Sequence, residues 1–143
     1  MRKAAVVLVL LFAAAQLVRP NRANPPIDPS RTVQAHVPAE LGAVLDRSCG
    51  DCHSYRTRWP SFTKVAPLSW LYAYAVAKGR AAVNFSEWAA YSQERQGQLL
   101  VASCKDVTAG KMPGVWASLQ TETRLSPRDV ELICAAAHGG SPR

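Results

Sequence analysis

Residues 49–53 read Cys-Gly-Asp-Cys-His, and the Cys-x-x-Cys-His pattern is the covalent attachment signal of c-type haem. Two thiols separated by two residues can add across the two vinyl groups at one edge of a porphyrin. The adjacent His53 then falls beneath the iron as its proximal ligand. The spacing therefore predicts that Cys49 and Cys52 hold one haem covalently and that His53 binds its iron.

The same cysteine pair has three other interpretations. A thioredoxin-like redox pair would belong in a βαβ context, and no segment of the chain alternates like a strand for more than a few residues. A structural zinc site would need a second pair of ligands, and Cys104 and Cys134 are isolated from each other in the sequence. The third interpretation is a chance occurrence of the pattern with a plain disulfide.

Met112 is predicted to be the sixth iron ligand, in a loop that reads Gly-Lys-Met-Pro-Gly. A thioether is a soft donor, and the neighbouring Pro113 stiffens the loop that presents it. The alternative for Met112 is a side chain that fills the core. His36 and His138 are the other candidates for the sixth ligand, and each would otherwise be a solvated surface histidine.

The first 18 residues predict export from the cytoplasm. Two basic residues precede an uncharged run, mostly Ala, Val and Leu, that extends to Val18, as is typical of a secretory signal peptide with a cleavage site before Gln16. The second interpretation is an uncleaved membrane anchor, although fifteen residues at ~1.5 Å each are shorter than the ~30 Å hydrocarbon core. Either way we expect the rest of the chain in an oxidising, periplasmic or otherwise extracytoplasmic space.

Residues 19–37 are rich in proline and show no hydrophobic periodicity, which excludes a regular helix. We expect a stiff spacer that either lifts the folded domain off a membrane or wraps along a surface. The folded domain is predicted to follow this segment, over residues 38–138. A chain of 143 residues is long enough for about one domain.

Four helices are predicted in this domain, and the class is all-α. Each has apolar residues at helical spacing, and the last two follow the capping residues Ser92 and Ser126. Gly79, Gly110 and Gly139 are interpreted as stop signals. The predicted helices are Pro38 to about Ser48, Pro67–Lys78, Gln93–Thr108 and Pro127–Ala137.

The order of these elements around the Cys-x-x-Cys-His motif and the Met-Pro loop resembles that of a class I cytochrome c domain. Over roughly Pro38 to Ala137 the chain also resembles the bacterial haem-binding-domain family of exported monohaem c-type cytochromes. The matching segments are Cys-His-Ser with Thr57, Trp59-Pro60, Ala66-Pro67-Leu68-Ser69-Trp70, Gly79-Arg80, Asn84-Phe85-Ser86-Glu87-Trp88, Lys111-Met112-Pro113 and Arg124-Leu125-Ser126.

The resemblance implies that the first and last helices of the domain cross, that Cys49 and Cys52 bind haem, and that His53 and Met112 are its axial ligands. The chain departs from the family pattern at three positions. Ala75 stands where an acidic residue or His is common, Gln120 where His is common, and Gly114 where a second proline is frequent.

Other polar and aromatic residues are candidates for contact with the haem. Buried propionates need hydrogen-bond donors, which Trp59, Arg80, Asn84 and Trp88 could supply. The alternatives are a solvated Arg80, a capping Asn84 and two core tryptophans. Trp70 and Trp116 are expected to pack against the porphyrin.

Cys104 and Cys134 lie on the apolar stripes of the last two predicted helices. In an oxidising compartment we expect them to form a disulfide if their Cα atoms lie within ~7 Å. The alternative is a pair of small buried thiols.

Seventeen Lys and Arg residues against ten Asp and Glu residues give a net charge of +7, or +5 without residues 1–15. With 48% hydrophobic and 19% charged residues, the composition excludes a disordered tail, collagen, a coiled coil and a polytopic membrane protein. Outside the cytoplasm the basic excess excludes a role with DNA and suits an acidic redox partner or an anionic lipid surface. A scattered solvated surface is the alternative.

The predicted function is one-electron transfer by a haem iron held by His53 and Met112. A gas or redox sensor with a labile sixth ligand is the first alternative. The second is a small haem peroxidase, which would need an open distal site and a basic group there; Arg80 and Lys111 are the candidates.

Overall fold

The computed structural model describes residues 1–118 and 120–139, and within them the protein is all-helical, as predicted. Five short 3-10 helices separate the six α-helices. These are α1 (Arg2–Ala15), α2 (Ala39–His53), α3 (Leu68–Ala82), α4 (Gln93–Thr108), α5 (Val115–Ser118) and α6 (Pro127–Ala137).

Local capping explains why α4 and α6 begin and end where the sequence predicts. The Ser92 hydroxyl accepts a hydrogen bond from the Arg95 N–H and so starts α4. Ser126 and Asp129 form a reciprocal capping box behind Pro127 at the start of α6. Both predicted ranges are confirmed.

The first two predicted helices are longer than expected. Helix α2 continues through the Cys-x-x-Cys-His motif to His53, and α3 continues past Gly79 to Ala82. The prediction that Gly79 stops α3 is wrong, because this glycine serves close packing instead. A Cβ atom at Gly79 would clash with the Cys52 carbonyl oxygen, so the missing side chain lets α3 approach α2.

The buried core joins α2, α4 and α6 to the short 3-10 helix Phe85–Ala90. Helix α2 contacts α6, as the resemblance to cytochromes implies for the first and last helices of the domain. The core residues are Val33, Leu41, Val44, Leu45, Val83, Phe85, Trp88, Leu99, Leu132 and Ile133.

The disulfide between Cys104 and Cys134 joins α4 to α6, with the two Cα atoms 4.8 Å apart. This confirms the predicted pairing. Because α4 precedes the loop that holds Met112 and α6 follows it, the disulfide ties together the two helices that flank this loop.

The proline-rich segment lies against the domain. Val33 is fully buried in the core, so the packed structure includes residues before the predicted boundary at Pro38. The Asn24 amide donates to the Thr57 carbonyl, and Arg31 pairs with Glu87 at 2.6 Å. Helix α1, in contrast, has no buried residue. Within residues 1–118 and 120–139, no helix combines the length and the apolar character needed to cross a membrane.

Candidate functional site

Helix α2 presents the two cysteines and the histidine of the motif at its C-terminal end. Cys49 and Cys52 are three residues apart and therefore share one helix face. Both are free thiols, so they do not form the plain disulfide considered above. Burial raises the pKa of Cys49 to about 12 and that of Cys52 to about 11, so both thiols are protonated at neutral pH.

Hydrogen bonds fix the chain immediately after the motif. The Ser54 hydroxyl donates to the Gly50 carbonyl and the Thr57 hydroxyl to the Asp51 carbonyl, both at 2.7 Å, so two carbonyls at the end of α2 are satisfied. The Asp51 carboxylate accepts from the backbone N–H and the guanidinium of Arg58. The end of α2 is therefore held in one geometry.

His53 has the environment of a metal-ligating histidine. Its Nδ1 lies 3.3 Å from the Val83 carbonyl oxygen. A carbonyl oxygen only accepts, so Nδ1 carries the proton and Nε2 keeps a free lone pair. Ligating histidines characteristically donate their second ring N–H in this way. Burial lowers the pKa of His53, against the opposing effect of the carbonyls of Val83 and Gly79, and this favours the neutral form that binds metals.

A cavity of about 680 Å³ lies beside the motif, between α2, α3, α4 and the segment around α5. This volume is in the range of cofactor sites, ~300–1,000 Å³. Cys49, Cys52, His53 and Met112 all line it. Its apolar lining includes Leu45, Val83, Phe85, Leu99, Val107 and Ile133.

Met112 lies at the solvent side of this cavity and is 41% exposed. Its loop is fixed to the end of α4, because the backbone N–H groups of Lys111 and Met112 both donate to the Asp106 carbonyl. His36 and His138, the other predicted candidates for a sixth ligand, do not line the cavity, and both are exposed.

The four candidates for propionate contact lie outside the cavity lining. The Arg80 guanidinium donates to Ser54, Ala23, Asn24 and Thr57, so it joins the N-terminal segment to the domain. Asn84 caps the 3-10 helix Phe85–Ala90, which is the alternative considered for it.

Trp59 is different, because its buried indole Nε1 has no hydrogen-bond partner among the described residues. Its ring lies 5.7 Å from that of Tyr72, which does line the cavity. A buried donor without a partner is costly unless a ligand supplies the acceptor. The Ser48 hydroxyl, in the cavity lining itself, is unpartnered in the same way.

The other tryptophans divide between the cavity, the core and the N-terminal segment. Trp116 lines the cavity and stacks on Phe62. Trp88 belongs to the core, in agreement with its alternative interpretation. The Trp70 indole donates to the Val18 carbonyl at 2.9 Å and does not line the cavity, so the expectation that it packs against the porphyrin is not supported by its position.

Sequence reasoning missed the polar residues at the cavity. Lys78, Arg95 and Gln98 line it and are exposed, so the cavity opens to solvent beside two cations. Gln120 also lines it and hydrogen-bonds the buried Tyr72, whose pKa is raised mainly by burial. The sequence shows the helical spacing of Lys78, Arg95 and Gln98, but no local pattern indicates which helix faces border a cavity. Lys111, a predicted distal base, is exposed and outside the lining.

The family model described as haem-binding domain matches residues 10–138. No curated protein and no solved structure matches the chain.

Proposed function

The chain belongs to the haem-binding-domain family, and from this premise we propose that it is an exported monohaem c-type cytochrome that transfers single electrons. One observation carries the proposal: the two thiols of the motif, the neutral His53 and the Met112 thioether line one largely apolar cavity. A haem iron bound there would supply a one-electron couple.

Each of these residues has a definite task in the proposal. Cys49 and Cys52 would hold the haem through thioether bonds, each formed by addition of a thiol across a vinyl group. The bond from His53 Nδ1 to the Val83 carbonyl orients the imidazole so that Nε2 is the proximal ligand. Met112 would hold the iron as the sixth ligand, and a thioether there would raise the reduction potential relative to a second histidine.

The apolar lining and the unpartnered donors complete the cofactor site. Leu45, Leu99 and Ile133 line the cavity and would exclude water from a bound haem, which would strengthen the electrostatic control of its potential. The Trp59 indole N–H is the donor available to a propionate, because it has no other partner among the described residues. The redox partner in this proposal is a protein outside the cytoplasm.

The exposure of Met112 supports a second candidate, a sensor of diatomic gases in which the thioether leaves the iron. A ligand on an exposed loop is less constrained than one fixed by core packing, so exchange would be easier. This candidate shares the covalent haem and His53 with the first and differs only at the sixth position.

The visible spectrum of the protein, matured in an exporting host that attaches c-type haem, tests both candidates. A reduced low-spin spectrum that carbon monoxide does not change supports the electron carrier, and ready binding of carbon monoxide supports the sensor. Haem that acidified organic solvent extracts from the chain would contradict thioether attachment. The alkaline pyridine spectrum gives the number of saturated vinyl groups and the haem stoichiometry.

A further inference from the structure

The N-terminal segment is fixed to the domain immediately after α1. Gln16 directly follows the last residue of α1; its side-chain oxygen accepts from the Ala66 N–H at 2.9 Å, and its amide donates to the Ala66 carbonyl at 3.4 Å. Two residues later the Val18 carbonyl accepts from the Trp70 indole. No free linker therefore separates α1 from the domain, and whatever surrounds α1 must also approach residues 65–71.

Large apolar side chains are exposed at that place. Leu68 and Leu71 lie one turn apart on the outer face of α3, Tyr74 continues the same face, and Val65 precedes the helix. Leu17 lies between the two contact points of the N-terminal segment and is 82% exposed. These five residues are the α3 patch. An exposed apolar patch on a folded domain marks an interaction surface.

The charges are divided unequally between the segments that carry the α3 patch and the remainder of the chain. Residues 16–27 and 52–86 hold seven Lys and Arg residues and no Asp or Glu. All ten acidic residues of the chain lie in residues 28–51 and 87–139, with seven basic ones. Arg19, Lys64 and Lys78 are exposed and belong to the acid-free segments that carry the α3 patch.

We propose that the α3 patch and its flanking cations rest on an anionic lipid bilayer, which fixes the orientation of the domain on the membrane. Lipid fits better than a protein partner, because the patch is continuous with α1, whose large apolar side chains are exposed. A second copy of the chain would bring two basic faces together. Leu and Val enter the acyl boundary, Tyr74 and Trp70 lie at headgroup level, and the cations meet the phosphates.

This inference rests on retention of α1 in the proposed exported protein and does not depend on the haem. The full chain is reconstituted with vesicles of phosphatidylcholine and phosphatidylglycerol, and lysine amines are acylated with a membrane-impermeant reagent. Mass spectrometry gives the ratio of labelling at Lys64 to labelling at Lys105, which is exposed on α4. The variant is L68Q/L71Q, and the matched control is Val101→Gln, because Val101 is as exposed on α4 as the two leucines are on α3.

We expect the wild type and the control to show the same low ratio and the double variant a ratio about fivefold higher. Pure phosphatidylcholine should also raise the ratio in the wild type. Equal ratios in all three proteins would overturn the proposal. Protection of Lys64 that disappears when the protein is diluted at constant lipid concentration would show that a second copy covers the patch. The visible spectrum, recorded on each sample, tests the haem proposal separately.

Discussion

The two sides of the cavity are held by different means. On the His53 side, the close approach of Gly79 to Cys52 packs α3 against α2, and the hydrogen bonds of Ser54, Thr57 and Asp51 fix the end of α2. On the Met112 side, the residue lies in a loop that is held by two backbone hydrogen bonds to the Asp106 carbonyl and by the disulfide between the flanking helices. If haem binds as proposed, its attachment would depend on packed helices, whereas the sixth position would depend on a loop residue that is 41% exposed.

The largest expected effect comes from the cysteines of the His53 side. In Cys49→Ser combined with Cys52→Ser, we expect loss of covalent haem and a protease-sensitive chain, because an apolar cavity of about 680 Å³ then has no permanent occupant. Limited proteolysis and circular dichroism measure this. The single variant Cys49→Ser, which can keep one thioether bond, should be intermediate. A stable, fully helical double variant without haem would contradict the prediction.

The disulfide is the main constraint on the Met112 side. Cys104→Ser with Cys134→Ser should lower the free energy of unfolding by about 3–4 kcal/mol. The disulfide closes a loop between residues with a sequence separation of 30, and its removal increases the conformational entropy of the unfolded chain. Denaturant titration measures the loss. Reductant added to the wild type should reproduce it, because thioether bonds to haem resist reduction. Equal stability with and without reductant would show that the disulfide does not brace the loop.

The contact between α2 and α3 gives the next effect. Gly79→Ala places a Cβ against the Cys52 backbone, which cannot move aside, so we expect a loss of about 2–3 kcal/mol and weaker haem incorporation. The control is Gly97→Ala on α4, where no atom lies within 4 Å of the new Cβ. That substitution should be neutral or slightly stabilising. A Gly79→Ala protein as stable as the control would disprove the close approach.

Gly79 also shows what the sequence could reveal about the fold and what it could not. The caps at Ser92 and Ser126 are local signals, and they located α4 and α6 to the residue. A glycine near a helix end has the same local signal whether it stops the helix or admits a neighbouring helix. Only the tertiary contact with Cys52 distinguishes the two cases.

The candidate site also contains residues whose role the sequence could predict and residues whose role it could not. The Cys-x-x-Cys-His motif is contiguous, so its chemistry can be predicted from its spacing. Arg80 was one of the candidates for contact with a propionate, but its four acceptors include residues more than fifty positions away in the N-terminal segment. The docking of that segment depends on long-range hydrogen bonds such as that between Gln16 and Ala66. No local pattern encodes these contacts.

A smaller effect on the free energy of unfolding is expected at the ion pair that joins α2 to α6. Arg47 of α2 pairs with Asp129 of α6 at 3.0 Å and donates to the carbonyls of Glu122 and Arg124. Partial burial acts to raise the pKa of Asp129, but the hydrogen bonds from Ser126 and Arg47 outweigh it and hold the pKa below its usual value. The stabilisation is therefore complete above the unfolded-state pKa, ~3.9, and is lost as the pH falls through the lower folded-state pKa.

We expect Asp129→Asn to lower the free energy of unfolding by about 1 kcal/mol at pH 7 and by progressively less below about pH 4. Denaturant titrations at several pH values measure this. Glu131→Gln on the exposed face of the same helix is the control, and it should have little effect at any pH. A loss that stays constant down to pH 2 would assign the effect of Asp129→Asn to packing and not to charge.

The smallest expected effect on folding comes from Met112, where the two sides of the cavity differ most. Its side chain is 41% exposed, so Met112→Leu and Met112→Ala should change the free energy of unfolding by less than about 1 kcal/mol. Both variants should nevertheless lose the low-spin spectrum and bind carbon monoxide, because neither leucine nor alanine has a sulfur ligand. Leucine also keeps the apolar volume of methionine, so it separates the loss of the sulfur from a loss of packing. If Met112→Leu keeps the wild-type spectrum, Met112 is not the sixth ligand. A large loss of stability in Met112→Leu would instead show that the bond from Met112 to the iron holds the loop in place. The contrast between a side held by packed helices and a side held by a loop would then be wrong.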